Sequence, residues 1–261
     1  MRRRLAVLIP ILDEERTLPD VLARVLSRPE VAEIVAIDDG STDQTWGIVT
    51  RLARREPRLR ALRQPRNLGK GAAVRRGLEE VTAPFAIIQD ADLELDPEDY
   101  PRLLEPLLRG RADAVLGVRR FDPRSGPDLF VAGNRGLTAA CNLLFRARLA
   151  DVLCGYKLLP TELWRQVGFQ ASGFDIDAEV TARLLRLRCR LEEVPVSYVT
   201  RSRHDGKKIR WRDGLAILRA LADVRVRSTG QLFDSTGQLF DTGHLLGTHP
   251  SATPLVAEEP S

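Results

Sequence analysis

Long apolar segments are missing from this sequence. No stretch of the 261 residues approaches the roughly 18 to 20 consecutive apolar residues that a membrane-spanning helix needs. The first residues, MRRR, resemble the charged start of a signal peptide. The apolar run that follows, LAVLIPIL, is short and ends in acidic residues without a small-residue cleavage site. We therefore predict that this run forms the first β-strand of the fold.

Cysteine is also scarce. Cys141, Cys154 and Cys189 are far apart and odd in number, which fits neither a zinc site nor the paired framework of a disulfide-rich secreted domain. The sequence therefore favours a reducing cytoplasm, and we predict a cytoplasmic location, with peripheral contact at the inner face of the membrane as a further option.

Lys and Arg are absent from the last 34 positions, residues 228–261, which contain four acidic side chains. The preceding 227 residues carry 40 basic and 32 acidic side chains. Such a surface suits an anionic partner such as a nucleotide or a phospholipid. A solvated, arginine-rich surface without a partner explains the same numbers, so both interpretations stay open at this point.

The C-terminal segment has the composition of a disordered tail. Its motif STGQLFD occurs at 228–234 and again at 235–241, and two copies are too few for a solenoid. Ser, Thr, Gly and Pro dominate the remainder, which leaves little apolar surface to bury. We predict one folded domain over residues 1–227 and a largely disordered tail over 228–261.

Strand and helix patterns alternate along the first 120 residues. Apolar strands are predicted at 4–9, 33–38, 58–63, 84–89 and 112–118, and helices at 17–27, 42–55, 70–81 and 97–109. This alternation indicates an α/β fold with a mostly parallel sheet covered by helices on both faces. In such sheets ligands bind beyond the carboxyl ends of the strands. The acidic motifs fall at these ends.

The second half of the chain contains fewer strands. Helices are predicted at 131–147, 161–167, 176–188 and 211–226, with a strand near 191–199 and a basic loop, RSRHDGKKIRW, before the last helix. Periodicity places Trp211, Leu215, Leu218 and Leu221 near one face of that helix. Two interpretations remain: the stripe packs on the core, or it rests on an anionic membrane surface with arginines at the headgroups.

The segment FAIIQDADLEL, residues 85–95, runs from a buried strand directly into Asp90, Asp92 and Glu94. Carboxylates this close repel one another unless a positive charge lies between them. Two carboxylates flanking one small residue can hold a divalent cation through oxygen ligands. Acidic residues also commonly end strands and cap helices, so this motif alone does not decide for a metal.

Two further motifs follow strands. In IDDGSTDQT, Gly40 permits a tight turn and the next three residues can cap a helix, which leaves Asp38 and Asp39 to bind a ligand's base or ribose hydroxyls. RNLGKGAAVRRG has Val74 where the third glycine of G-x-G-x-x-G belongs and lacks the P-loop pattern. Its glycine-rich helix start still lets Lys70 face an anion.

The order IPILDEE, IDDGSTDQT, NLGKG and QDADLEL resembles the family 2 glycosyltransferases, which have the GT-A fold. The closer likeness is to the branch with dolichol-phosphate mannose synthase and bacterial polyprenyl-phosphate glycosyltransferases. It extends from residue 5 to about residue 220, with later landmarks GVRR (117–120), GNRG (133–136), CGYK (154–157), GFDIDAE (173–179) and GKKI (206–209). The chain departs from many relatives at Asp13, where they have Asn.

The resemblance implies roles for individual residues. Asp90 and Asp92 match the acid pair that binds Mg²⁺ or Mn²⁺, and Glu94 stands where a third ligand is expected. The implied nucleotide-sugar contacts are Pro10, Glu14, Asp38, Asp39, Lys70, Asp90, Ala91 and Asp92. The implied acceptor-phosphate contacts are Arg119, Arg135, Lys207 and Lys208.

An inverting transfer to an alcohol needs a general base. Asp177 is the leading candidate and Asp175 the second, on the segment GFDIDAEV. Asp177 can equally be an acid at a helix N-terminus, stabilised by the macrodipole. An acceptor that is a lipid phosphate is already ionised and needs no strong base.

The resemblance therefore implies a metal-dependent, inverting glycosyltransferase. We predict a nucleotide-sugar donor, GDP-mannose or UDP-glucose, and a polyprenyl phosphate acceptor. The alternatives are a soluble alcohol or glycan acceptor with the same donor, and a nucleotide-sugar-binding module without turnover. Nucleic acid is not predicted as a partner, because no recognised motif accompanies the positive charge.

Overall fold

The computed structural model describes residues 4–120, 129–199 and 211–227. The strands are β1 (Leu5–Ile11), β2 (Val31–Asp38), β3 (Leu59–Arg63), β4 (Phe85–Ile88), β5 (Ala114–Arg119), β6 (Lys157–Pro160) and β7 (Leu191–Val196). The helices are α1 (Leu18–Leu26), α2 (Thr45–Ala53), α3 (Lys70–Leu78), α4 (Tyr100–Leu108), α5 (Leu129–Phe145), α6 (Thr161–Val167), α7 (Ile176–Arg186) and α8 (Trp211–Val226), with a 3₁₀ turn at Pro97–Asp99. The predicted tail at 228–261 and all but the last residue of the predicted basic loop RSRHDGKKIRW lie outside these residues, so the division at residue 227 stays a prediction.

The seven strands form one sheet in the order β3-β2-β1-β4-β6-β5-β7. The pairs β1–β2, β1–β4, β2–β3 and β5–β7 are parallel, and of the described strands only β6 runs antiparallel to its neighbours, β4 and β5. The mostly parallel sheet is therefore confirmed. The sequence analysis did not assign β6 as a strand, because the four residues KLLP carry too little periodicity to distinguish a strand from a loop.

The central strand β1 shows why the sheet forms. Leu5, Val7 and Ile9 pack on one layer with α1, α2 and α4, whereas Ala6 and Leu8 pack on the other layer with α3, α6 and α7. All five side chains are fully buried. A strand buried on both faces reads as a continuous apolar run, and such strands belong to parallel sheets covered by helices.

The last helix packs on α5 and α7 through Ile217, Leu221 and Val224. On the predicted apolar face Leu221 is buried, whereas Leu215 and Leu218 are 60% and 42% exposed, so only part of this face packs on the core. The helix carries two apolar stripes, and periodicity alone cannot say which of them meets the core. None of the helices in the described ranges is long and apolar enough to cross a membrane.

Three loops converge at one edge of the sheet. In the β1–β2 pair, Ile11 lies opposite Asp38, so these neighbouring strands end together, and β4 ends beside β1 at Ile88. The loops after these strands carry the motifs that begin at Asp13, Asp39 and Asp90. The topology therefore brings the predicted acidic motifs to the carboxyl edge, where ligands bind in open α/β sheets.

Candidate active site

The acidic loop occupies residues 90–95, directly after β4. Asp92 Oδ1 accepts a hydrogen bond from the backbone N–H of Glu94 at 3.1 Å, and Leu93 has a φ of +63°, so the loop turns tightly. At its start, Asp90 Oδ1 lies 2.8 Å from Lys70 Nζ. A protein cation therefore meets the acidic loop and compensates part of its charge.

Lys70 is the first residue of α3. Gly69, with a φ of +97°, precedes it, and the N–H of Gly71 donates to Ser172 O at 2.7 Å, which fastens this helix start to the loop before α7. There is no room for a side chain at Gly71, since a Cβ would collide with the carbonyl of Ala171. The close backbone contact thus places the Lys70 ammonium at the carboxyl edge of the sheet.

Asp177 joins the same cluster from the first turn of α7. Its Oδ2 lies 3.2 Å from Lys70 Nζ, and the carboxylate is 5% exposed. Burial disfavours the charged form of Lys70, but Asp177 and Asp90 outweigh it and raise the pKa of that ammonium. Lys70 therefore stays protonated and bridges a carboxylate of the acidic loop to the leading candidate for the base.

A second buried lysine stands behind Asp177. Lys157 Nζ lies 3.9 Å from Asp177 Oδ1 and donates to the carbonyls of Val152 and Cys154 at 3.2 and 2.7 Å. Burial lowers the pKa of Lys157. Asp177 Oδ1 accepts no hydrogen bond from the described residues. The other candidate, Asp175, accepts the N–H of Gly173 at 3.1 Å and so shapes its own loop.

The donor set fits a divalent cation in part. Glu94 Oε2 accepts the hydroxyl of Tyr198 at 3.1 Å, and the described residues contain no group of three side chains placed to hold a metal ion. The predicted three-carboxylate set is therefore not assembled here. Mg²⁺ is commonly held by one or two carboxylates together with substrate phosphates. Asp90 and Asp92 suit that arrangement, and the Lys70 ammonium shows that a cation is accommodated beside Asp90.

Gly155 makes room for the Asp90 carboxylate. A Cβ at this position would overlap Asp90 Oδ2 and lie 3.5 Å from Lys70 Nζ. The bare backbone of residue 155 is thus the wall against which the predicted metal ligand rests.

Asp39, a predicted nucleotide contact, holds the loop that leads to Lys70. Its Oδ1 accepts from Gln64 Nε2 at 2.7 Å and from the N–H of Leu68 at 2.8 Å, and its Oδ2 accepts from the N–H of Gly69 at 2.7 Å. Burial raises the pKa of Asp39 and outweighs these donors. The carboxylate is thus used to order the loop, and its contact with a nucleotide stays a prediction.

Asp38 is likewise engaged within the protein. It is fully buried, its Oδ1 accepts the N–H of Ser41 at 3.2 Å, and its Oδ2 lies 3.0 Å from Arg63 Nε. The guanidinium of Arg63 also lies over the Trp46 ring. The predicted contact of Asp38 with the base or ribose is not tested by this geometry.

The turn after β1 accommodates Asp13, where many relatives are expected to have Asn. This residue has a φ of +48°, a conformation that Asn and Asp adopt more readily than other side chains. Its Oδ1 accepts the N–H of Thr42 at 2.8 Å, so either Asp or Asn serves the turn. Glu14 Oε2 accepts the Thr17 hydroxyl at 2.7 Å. Pro10, near the end of β1, is half-buried.

The predicted acceptor residues are placed differently from one another. Arg119, at the end of β5, is 9% exposed and binds Asp151 through two hydrogen bonds of 2.7 and 2.9 Å. Despite burial, Asp151 raises the pKa of Arg119, and Arg119 lowers the pKa of Asp151. Arg135, on α5, is exposed. Lys207 and Lys208 lie outside the described residues.

The sequence analysis missed several residues of this cluster. Gly155 and Lys157 belong to the landmark CGYK, which was noted without roles for its members. Asp151 gave no signal, since a single acid in a loop resembles a solvated charge. In the seven positions 151–157, a glycine, a tyrosine and a lysine directly follow a cysteine, and this group of uncommon residues was the signal that the sequence offered. The structure shows that this cysteine is buried.

The first half of the sequence matches the model of a known protein family. Residues 6–132 match the family model described as glycosyl transferase family 2. Residues 6–132 belong to glycosyl transferase family 2. The predicted family and the predicted enzyme class, a glycosyltransferase, are thereby confirmed, and the matched segment contains all three acidic loops at the carboxyl edge.

Two curated relatives extend the similarity beyond this segment. Glycosyltransferase AglJ from Haloferax volcanii is 28% identical over 198 residues, which are 75% of this chain and 63% of that protein. Undecaprenyl-phosphate mannosyltransferase from Micrococcus luteus is 28% identical over 218 residues, which are 78% of this chain and 87% of that protein. The chain thus spans slightly less than two thirds of the length of the first of these glycosyltransferases.

A solved structure shares the fold of this chain. The crystal structure of glucosyl-3-phosphoglycerate synthase from Mycobacterium tuberculosis with Mn²⁺, UDP-glucose and phosphoglyceric acid matches with a TM-score of 0.66 and 22% identity. The match covers 87% of this chain and 82% of that chain. The predicted GT-A fold is therefore confirmed.

Proposed function

We propose that this chain is a metal-dependent, inverting glycosyltransferase that moves a sugar from a nucleotide-sugar donor to a polyprenyl phosphate. The donor is GDP-mannose or UDP-glucose and the metal is Mg²⁺ or Mn²⁺. The observation that carries the proposal is the cluster of Asp90, Lys70 and Asp177, which joins the acidic loop to a protonated lysine at the carboxyl edge of a family 2 fold.

The chain's own groups suit a diphosphate. Asp90 and Asp92 would hold the metal, which draws negative charge from the leaving nucleoside diphosphate when it is bound. The Lys70 ammonium, 7% exposed and fixed by two carboxylates, offers a further positive charge beside them. A preorganised cation at a site where negative charge develops lowers the barrier without reorganisation during the reaction.

The environment of Asp177 favours an acceptor that is already ionised. The Asp177 carboxylate contacts the Lys70 ammonium at 3.2 Å and lies 3.9 Å from that of Lys157, so it is engaged with cations inside the protein. An alcohol acceptor would require a general base, whereas a phosphate oxygen attacks without one. Asp177 then acts by positioning Lys70. Undecaprenyl phosphate in the name of the bacterial relative agrees with this choice.

An exposed apolar surface suits an acceptor that resides in a membrane. Leu215 and Leu218 on α8 are exposed, and Leu143 on α5 is 81% exposed, while Arg219 and Arg225 flank the stripe on α8. Apolar side chains with arginines at their margin are typical of helices that rest on an anionic bilayer. We therefore propose peripheral contact with the cytoplasmic face of a membrane.

The first test combines donor and metal. Purified protein is assayed for transfer and donor hydrolysis with GDP-mannose and UDP-glucose, with and without Mn²⁺. Asp92→Asn is expected to lower transfer by at least about 100-fold, since it removes a charged metal ligand. Glu98→Gln, an exposed acid in the following 3₁₀ turn, serves as the control and should retain activity. Full activity of Asp92→Asn after EDTA treatment would refute the metal site, and no donor turnover at all would leave only nucleotide-sugar binding.

The second test identifies the acceptor. We expect transfer to a short-chain polyprenyl phosphate, and little to a soluble alcohol or to 3-phosphoglycerate. Arg135→Ala should lower this transfer about 10- to 150-fold and spare donor hydrolysis, because an arginine–phosphate contact contributes roughly 1.5 to 3 kcal/mol. Arg55→Ala, an exposed arginine after α2, is the control. Transfer only to a soluble acceptor would refute the lipid assignment while leaving the donor chemistry intact.

A further inference from the structure

Gln89 is a fully buried polar residue between β4 and the acidic loop. Its amide makes four hydrogen bonds. Nε2 donates to the carbonyls of Asp90 and Leu95 at 3.0 and 3.3 Å, and Oε1 accepts the hydroxyls of Tyr100 and Tyr156 at 2.7 and 2.6 Å. All four of these hydrogen bonds are made to protein groups, and the side chain is inaccessible to solvent.

The orientation of this amide follows from its partners. Backbone carbonyls only accept hydrogen bonds, so the NH₂ end must face Asp90 and Leu95, and the oxygen must face the two phenols. Burial raises the pKa of Tyr100 and Tyr156 well above the ordinary value, which keeps both hydroxyls protonated as donors. A flipped amide would set its oxygen against two carbonyl oxygens.

The two carbonyls are the ends of the acidic loop. Between them lie four residues, among them Asp92, and the positive φ of Leu93 shows that the backbone here is not held by regular secondary structure. We infer that Gln89 is a positioning residue that closes the loop 90–95 and thereby sets the separation of the metal-binding carboxylates. This inference rests on the proposed metal site at Asp90 and Asp92.

The phenols connect this amide to two other parts of the fold. Tyr100 begins α4, and Tyr156 follows Gly155, the wall behind the Asp90 carboxylate. Their rings contact each other with centroids 5.8 Å apart. Gln89 therefore ties the loop to α4 on one side and to the CGYK segment on the other, so both flanks of Asp90 are fixed through one side chain.

The test separates loop geometry from stability. Gln89→Met keeps the approximate volume and removes the amide. Trp164→Phe is the matched control, because Trp164 Nε1 also donates a buried hydrogen bond to a β4 carbonyl, that of Ala86 at 2.9 Å, away from the acidic loop. The Kd for Mn²⁺ is measured by electron paramagnetic resonance with GDP or UDP present, well below the melting temperature of each variant.

Gln89→Met should raise the Kd for Mn²⁺ by about 10- to 100-fold, the range for residues that orient metal ligands, while Trp164→Phe stays within about twofold of the wild type. Should Gln89→Met fail to fold, the double variant Tyr100→Phe/Tyr156→Phe leaves the amide in place without its donors and should shift the Kd in the same direction. An unchanged Kd in the folded variant would overturn the inference but not the metal site. Absence of Mn²⁺ binding by the wild type would overturn both.

Discussion

The close approach of Gly155 to Asp90 makes one substitution especially informative. In Gly155→Ala the new methyl group would overlap Asp90 Oδ2, the end of a side chain that can move, and the backbone of residue 155 has no left-handed φ to forbid alanine. The fold should therefore survive. The carboxylate must retreat by about 1 Å to reach an ordinary contact distance.

That displacement is large on the scale of catalysis. The contact between Asp90 Oδ1 and Lys70 Nζ is 2.8 Å, so a shift of this size breaks it or drags the ammonium along. A misplacement of about 1 Å in a reacting constellation costs roughly 100-fold in rate. We expect Gly155→Ala to lower kcat for donor turnover about 100-fold and to weaken Mn²⁺ binding.

The assay compares Gly155→Ala with Gly136→Ala under identical conditions. Gly136 lies on α5, and a methyl group added there would meet none of the described residues within 4 Å. Alanine at this position should therefore leave turnover unchanged and stabilise the helix by roughly 0.5 to 1 kcal/mol. Thermal unfolding checks that both variants are folded. A folded Gly155→Ala with wild-type turnover and Mn²⁺ affinity would refute the placement of Asp90 in the reaction centre.

Two further predictions concern the acceptor side. Asp151→Asn should destabilise the protein by about 3 to 5 kcal/mol near neutral pH, because the buried Arg119 guanidinium loses the negative charge that Asp151 supplies. Since Arg119 holds the pKa of Asp151 below its ordinary value of 3.8, the stability that this carboxylate contributes is present above that value and lost as the pH falls through the folded-state pKa. The stability difference between wild type and Asp151→Asn should therefore shrink below about pH 4 in urea titrations, and a constant difference would refute the ion pair. The double variant Leu215→Glu/Leu218→Glu should reduce binding to anionic vesicles at least about 10-fold, since each exposed leucine would otherwise bury apolar surface. Binding by the wild type should also fall at high salt, whereas Leu68→Glu, an exposed leucine at 39% outside α8, should bind normally in sedimentation assays. Equal binding by all three proteins would refute the membrane surface.

The architecture of the first 120 residues could be predicted because β1, β2, β4 and β5 are mainly apolar runs between turn residues. Such runs specify a buried parallel strand with little ambiguity once helices alternate with them. The edge at which the acids converge followed from the same pattern, without knowledge of any contact. What the pattern could not supply was the antiparallel β6, whose four residues are too few for periodicity to act upon.

The interior of the site was less predictable, because long-range pairing leaves no local trace. Lys70 and Asp177 are 107 positions apart, and nothing in either motif names the other as a partner. Arg119 was predicted to bind the acceptor because of the motif GVRR, whereas the partner that the structure shows for it, Asp151, lies 32 positions away. The fold decides which charged side chains meet. A sequence motif can therefore identify a charged residue, but it does not identify the residue with which it pairs.

The loop anchored by Asp39 has a consequence for redesigning donor choice. Asp39 accepts hydrogen bonds from the backbone N–H groups of Leu68 and Gly69. The next residue is Lys70, which forms an ion pair with Asp90. If Asp39 contacts the nucleotide as predicted, a substitution there that admits a different nucleobase would also displace the Lys70 ammonium beside Asp90. Donor preference and the position of this cation would then be coupled, and transferring base-contacting residues from a relative would carry over its preference only together with the whole segment 64–70.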